Sequence, residues 1–83
     1  MRLRVVVKEE REKEFVQIIA VTVDKKQRSL GQLSPSMYDP LDQCQAMAAD
    51  IVNRFGNAGS LGNIHTLRKK IQGVLEEMKI VPG

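Results

Sequence analysis

Residues 15–23 read Phe-Val-Gln-Ile-Ile-Ala-Val-Thr-Val, a run rich in β-branched side chains that suits an extended strand. Successive side chains on a strand point to opposite faces, so Phe15, Gln17, Ile19, Val21 and Val23 form one set and Val16, Ile18, Ala20 and Thr22 the other. Neither set reads as a plain solvent face. A strand that is apolar on both sides has to be covered twice, which constrains every other segment of so short a chain. With 83 residues there is material for one domain with one core, near the size at which burial only just offsets chain entropy; oligomerisation is a common remedy. The run therefore points to a partner.

The preceding segment, Arg2 to Lys8, alternates. Leu3, Val5 and Val7 fall on one side, and Arg2, Arg4, Val6 and Lys8 on the other, as expected of a strand with one buried face. Between the two strands lies the mixed-charge run Lys8-Glu9-Glu10-Arg11-Glu12-Lys13-Glu14, which reads as a solvated hairpin tip. A turn centred on Glu10 to Lys13 sets Lys8 opposite Phe15, Val7 opposite Val16, Val5 opposite Ile18 and Leu3 opposite Ala20. Leu3, Val5, Val7, Val16, Ile18 and Ala20 then form the core face. A slip of one residue would bring Gln17 into the core, which selects this register.

After the polar break Asp24-Lys25-Lys26-Gln27, Arg28 to Leu33 reads as a short third strand carrying Leu30 and Leu33, with Gly31 marking a bulge or weak pairing. Pro35 and Pro40 bracket a loop. A helix is expected over 40–55, with Asp39 as N-cap, Pro40 in the first helical position, Asp42 near the positive helix end and Gly56 as its stop. Its apolar stripe is Leu41, Cys44, Met47, Ala48, Ile51 and Phe55. A Gly-rich connection leads to a second helix over 64–79, with Asn63 as N-cap and Ile64, Leu67, Ile71, Val74, Leu75 and Met78 as its stripe. Gly73 inside this helix suggests close packing against Ala48 or Ala49. The expected fold is α+β: one domain over 1–83, with strands over 2–8 and 15–23 and a third over 28–33 completing a two- or three-stranded antiparallel meander. An antiparallel helical pair follows it, packed on one sheet face.

Composition narrows the function class. Apolar residues make up 42% of the chain and charged residues 28%, ordinary for a globular domain, and the net charge of +3 permits an acidic partner without demanding one. The single cysteine, Cys44, excludes an internal disulfide and suits a reducing compartment, so the cytoplasm is the expected location. A three-residue valine run near the start falls short of a signal-peptide apolar region, and no segment approaches the roughly 20 apolar residues of a membrane span.

No motif identifies a reaction. Cys44 and His65, the only cysteine and histidine, could pair only if the helices brought them together, and Cys44 sits on an apolar stripe where cysteine behaves as a small hydrophobe. Asp39, Asp42 and Asp50 lack calcium-loop spacing, so neither a metal nor another cofactor is expected. Gly56, Gly59 and Gly62 match neither the P-loop nor the dinucleotide-binding spacing. Helix, Gly-x-x-Gly, helix, as in Gly56-Asn57-Ala58-Gly59 or Gly59-Ser60-Leu61-Gly62, resembles the K-homology RNA-binding module over about residues 51–71. That resemblance implies a loop clamping a nucleic-acid backbone with Arg54, Arg68, Lys69 and Lys70 nearby. The chain departs from it in having no basic residue within either loop, and only Lys79-Ile80-Val81 to supply the strand expected after the helices.

These features point to a small intracellular, non-catalytic interaction protein that self-associates, as a homodimer, through the open face of its hairpin. The expected interface is Val6, Phe15, Gln17, Ile19, Val21 and Val23; another protein could take the place of the second copy. The alternative is a nucleic-acid-binding module using Arg2, Arg4 and Lys8 on the sheet or Arg68, Lys69 and Lys70 on the second helix. No membrane contact or small-molecule substrate is expected.

Overall fold

The computed structural model of the chain describes residues 2–56 and 64–78. Three strands, β1 (Arg2–Glu10), β2 (Lys13–Val21) and β3 (Gln27–Leu33), form an antiparallel meander in the order β1-β2-β3, followed by helices α1 (Leu41–Phe55) and α2 (Ile64–Met78). The fold is α+β, with both helices on one face of the sheet. The β1–β2 register is the one the hydrophobic pattern selects: Leu3 pairs with Ala20, Val5 with Ile18, Val7 with Val16 and Lys8 with Phe15.

The hairpin is longer at its tip and shorter at its far end than expected. The strands continue through Glu10 and resume at Lys13, because Arg11 and Glu12 both take positive φ, 52° and 64°. Such a two-residue turn has a twist that matches the flanking strands, although neither residue is the usual glycine or asparagine. At the far end β2 stops at Val21 instead of Val23, since Thr22 opens a second turn. There the Lys25 amide donates to the Thr22 carbonyl at 2.8 Å and the Thr22 amide to the Lys26 carbonyl at 3.0 Å, with Lys25 at φ 64°. The Asp24 carboxylate accepts from the Thr22 hydroxyl and, at 3.3 Å, from the Lys26 amide. These two bonds hold its carboxyl below the usual aspartate value.

The β2–β3 pairing jumps between Ile18↔Gly31 and Ile19↔Ser29, leaving Leu30 as an extra residue. This is the bulge that Gly31 suggested. Strict alternation would send Leu30 and Leu33 to opposite faces, whereas the extra residue turns both inward, and both are buried. Gly31 also lets α2 approach: a Cβ there would lie 2.6 Å from Leu75 Cδ1. Gly73 has no such role. A Cβ at that position meets nothing within 4 Å, so the expected contact with Ala48 or Ala49 is absent.

One core joins Leu3, Val16, Ile18, Ala20, Leu30 and Leu33 of the sheet to Cys44, Ala48 and Ile51 of α1 and Leu67, Ile71 and Leu75 of α2. Each helix buries the centre of its apolar stripe, and Leu41, Met47, Phe55, Ile64, Val74 and Met78 pack at the margin. α1 lies over β1 and β2, and α2 over β3. Val7, expected in the core, is 41% exposed, because it sits on the edge strand toward the protruding tip.

The helix termini differ in detail from expectation. Pro40, not Asp39, is the N-cap of α1; its carbonyl accepts the Cys44 amide at 3.0 Å. Asp39 instead closes the preceding turn, its carbonyl accepting from the Ser36 amide at 2.8 Å and its amide donating to Ser36 Oγ at 3.0 Å. Asp42 does lie in the first turn. Gly56 ends α1 with right-handed backbone, φ −61°, so the stop does not depend on glycine's access to positive φ. Asn63, both Gly-x-x-Gly loops beyond Gly56, and Lys79-Ile80-Val81 lie outside the described residues.

Candidate functional site

With both helices on the Leu3, Val16, Ile18 face, the opposite face of the sheet carries neither of them. Register places Arg2, Arg4, Val6, Lys8 and Glu10 of β1 there, beside Phe15, Gln17, Ile19 and Val21 of β2. From β3, Ser29 lies opposite Ile19 and Gln32 opposite Gln17. The Gln17 Nε2 donates to Ser29 Oγ at 3.0 Å, a cross-strand bond that spans the bulge.

The expected interface residues separate into three groups. Val6, Phe15, Gln17 and Val21 share the face and are half-buried. Ile19 also lies on it but is only 3% exposed, since it occupies the central strand between Arg4 and Ser29. A long arginine stem can lie over an apolar neighbour while its guanidinium stays in water. Val23 does not belong to the face at all. It sits in the Thr22–Lys26 turn and is 94% exposed.

The basic residues also separate. Arg2, Arg4 and Lys8 are exposed along one side of the edge strand. Arg68 is engaged within the fold, its Nε donating to the Ser29 carbonyl at 3.1 Å and so tying α2 to an edge strand. Arg54 pairs with Asp50 at 3.4 Å, one turn away on α1. Lys69 and Lys70 remain exposed on α2, away from the sheet residues. The two basic groups named in the sequence are thus separate surfaces.

Cys44 is buried, and its Sγ points at the Asp39 carbonyl, 3.5 Å away. Burial pushes its thiol pKa up, and the negative charge of Asp39 adds to the shift. That is the reverse of what activates a nucleophilic cysteine, whereas His65 lies exposed in the first turn of α2. Among the described residues no three His, Cys, Asp or Glu side chains are grouped to hold a metal, and no helix is long and apolar enough to cross a membrane. A concavity of about 740 Å³ forms an open notch between the hairpin tip, Pro35 and Leu41, lined by Glu10, Glu12, Glu14 and Phe15 among others.

The sequence reading missed Met37 and Tyr38. Ser36 organises their loop, its hydroxyl accepting from the amides of Tyr38 at 3.3 Å and Asp39 at 3.0 Å, and leaves the two side chains 90% and 86% exposed. Two large apolar groups between paired prolines in a short loop were the available signal. Compared with protein-family models, curated proteins and solved structures, the chain matches none of them.

Proposed function

We infer that the protein is a small, non-catalytic interaction module that self-associates through the open face of its sheet. The observation that carries this reading is a three-stranded face with neither helix on it, presenting half-buried Val6, Phe15 and Val21. Two strands of nine residues and one of seven, at about 4.8 Å spacing and 3.4 Å per residue, give a footprint of roughly 400 Å² per copy. Two such footprints bury about 800 Å² in total, below the roughly 1,000 Å² that a stable interface clears, so the association is a weak, transient one. A dilution series followed by amide chemical shifts tests where the contact lies. Signals from Val6, Gln17 and Val21 should move with concentration while those of Asp42, Ala46 and Ala49 on the outer side of α1 stay fixed; the opposite pattern rejects the sheet face.

A second reading, nucleic-acid binding on the same face, is favoured by the exposure of Arg2, Arg4 and Lys8 along one strand. It requires affinity for a single-stranded oligonucleotide that falls steeply with salt and drops when Arg2→Ala is combined with Arg4→Ala. Absence of binding at low salt removes it.

A further inference from the structure

The two edges of the sheet differ. At the β3 edge the bulge at Leu30 interrupts the ladder, and Arg68 of α2 donates to the Ser29 carbonyl at 3.1 Å. Bulges and covering side chains withdraw a sheet edge from further pairing. β1 has neither: its nine residues pair with β2 without a register shift or a proline, and β2 is its one strand neighbour among the described residues.

The phase of the ladder decides which backbone groups of β1 are left over. Along an antiparallel strand, successive residues direct their amide and carbonyl to alternate sides. The Thr22 amide donates to the Lys26 carbonyl at the end of β2 and β3, so even-numbered residues of β2 bond toward β3 and odd-numbered ones toward β1. Their partners in β1 are the even-numbered residues. Leu3, Val5, Val7 and Glu9 therefore turn their amides and carbonyls to the outer edge. Side chains flank that edge unequally. Arg2, Arg4 and Lys8 stand exposed on the open face against the one carboxylate of Glu10, while on the helix-bearing face Val5 is half-buried and Val7 exposed.

We propose that the β1 edge receives an extended segment of another protein in which acidic and apolar residues alternate, added to the sheet as a fourth strand. The outward backbone groups supply the ladder, carboxylates of the segment meet the row Arg2, Arg4 and Lys8, and its apolar residues cover Val5 and Val7. Charge disfavours a second copy as the occupant. Antiparallel pairing of β1 with itself centred on Val5 sets Arg2 opposite Lys8, and centring on Val6 sets Arg4 opposite Lys8. Centring on Val7 avoids both but sets Val5 opposite Glu9. This site goes beyond the self-association reading, which uses the face of the sheet and not its edge.

Amide hydrogen exchange on the full chain tests this, with a synthetic peptide of about eight residues alternating glutamate and valine as the probe. In the free protein the Val5 and Val7 amides should exchange fast and those of Arg4, Val6 and Lys8 slowly; saturating peptide should slow the first set about tenfold or more. The same peptide N-methylated throughout keeps its charge but loses its donors, and should not bind. Arg4→Glu with Lys8→Glu should weaken the glutamate–valine peptide about tenfold and admit a lysine–valine one, which the wild type refuses. Val7→Pro removes an outward amide but no bond to β2, and should abolish binding while keeping the wild-type circular dichroism. Absence of binding at low salt, equal binding of the N-methylated peptide, or binding that leaves the Val5 and Val7 amides exchanging as before overturns the proposal. Protection of these amides that grows with protein concentration in the absence of peptide assigns the edge to a second copy and overturns the choice of occupant.

Discussion

Replacing Gly31 with alanine should destabilise the fold, and removing the tip of Leu75 should reverse the sign of that effect. The new Cβ would lie 2.6 Å from Leu75 Cδ1 and 3.6 Å from Ile71 Cγ2. Carbon atoms in contact prefer about 3.5–4.0 Å, so the leucine methyl must retreat by about 1 Å. Leu75 is held in the core by its neighbours, and overpacking of this kind costs about 1–3 kcal/mol. Against that, alanine is better than glycine within a strand by about 0.5–1 kcal/mol. The net expectation for Gly31→Ala is a loss of about 1 kcal/mol, or a fall in Tm of about 4–8 °C for a domain this size. Leu75→Ala alone should cost about 2–5 kcal/mol. In that background the obstructing methyl is gone, so Gly31→Ala should now stabilise by about 0.5–1 kcal/mol, a coupling of about 1.5–2 kcal/mol. Urea unfolding followed by far-ultraviolet circular dichroism on the four proteins of the cycle measures it. An equal loss in both backgrounds would refute the reasoning, because the cost would then belong to the bulged backbone and not to the contact with Leu75.

Other outcomes follow from the turns and the core. Arg11→Asn with Glu12→Gly places residues suited to positive φ at the two turn positions and should raise stability by about 1 kcal/mol, read as a higher urea midpoint with an unchanged slope. The buried Cys44 thiol should react with a thiol reagent only as fast as the chain opens, so labelling should slow in proportion to added stability in the Arg11→Asn, Glu12→Gly variant. Because its pKa is raised in the folded chain, the stability it contributes is complete at neutral pH and declines as pH rises past about 8.5, where the unfolded thiol ionises. Urea midpoints between pH 7 and 10 should show this decline, and Cys44→Ala should lose that component of it.

The register was legible because period-two alternation leaves one pairing that keeps Gln17 out of the core, and the helices because two stripes spaced by three and four residues admit no other regular structure. What the sequence concealed was local. The hairpin tip lacks the residues that advertise a two-residue turn, so its strands looked shorter than they are, and the Thr22–Lys26 turn captured Val23 through backbone and Asp24 side-chain bonds that alternation does not reveal. Asp39 looked like a cap by residue type, but Ser36 engages its backbone and leaves that position to Pro40. At the candidate site, the membership of Val6, Phe15, Gln17, Ile19 and Val21 in one face followed from parity alone. Their exposure did not: Ile19 is sheltered to 3% exposure on the central strand while Val6, Phe15, Gln17 and Val21 of the same face are half-buried, and parity does not distinguish them. That shelter changes the choice of probe. Ile19→Asp would bury a charge and unfold the sheet, whereas Val6 lies half-buried on the edge strand, where lysine is well tolerated.

Sedimentation equilibrium of the wild type and of Val6→Lys over a wide concentration range tests the central claim most directly. The wild-type mass should rise with concentration from the 9.3 kDa of one chain toward twice that value. Val6→Lys should keep the wild-type circular dichroism and urea midpoint and remain at the mass of one chain throughout. A wild type that shows a single chain at every concentration, or a Val6→Lys variant that associates as tightly as wild type, would contradict self-association through the open face of the sheet.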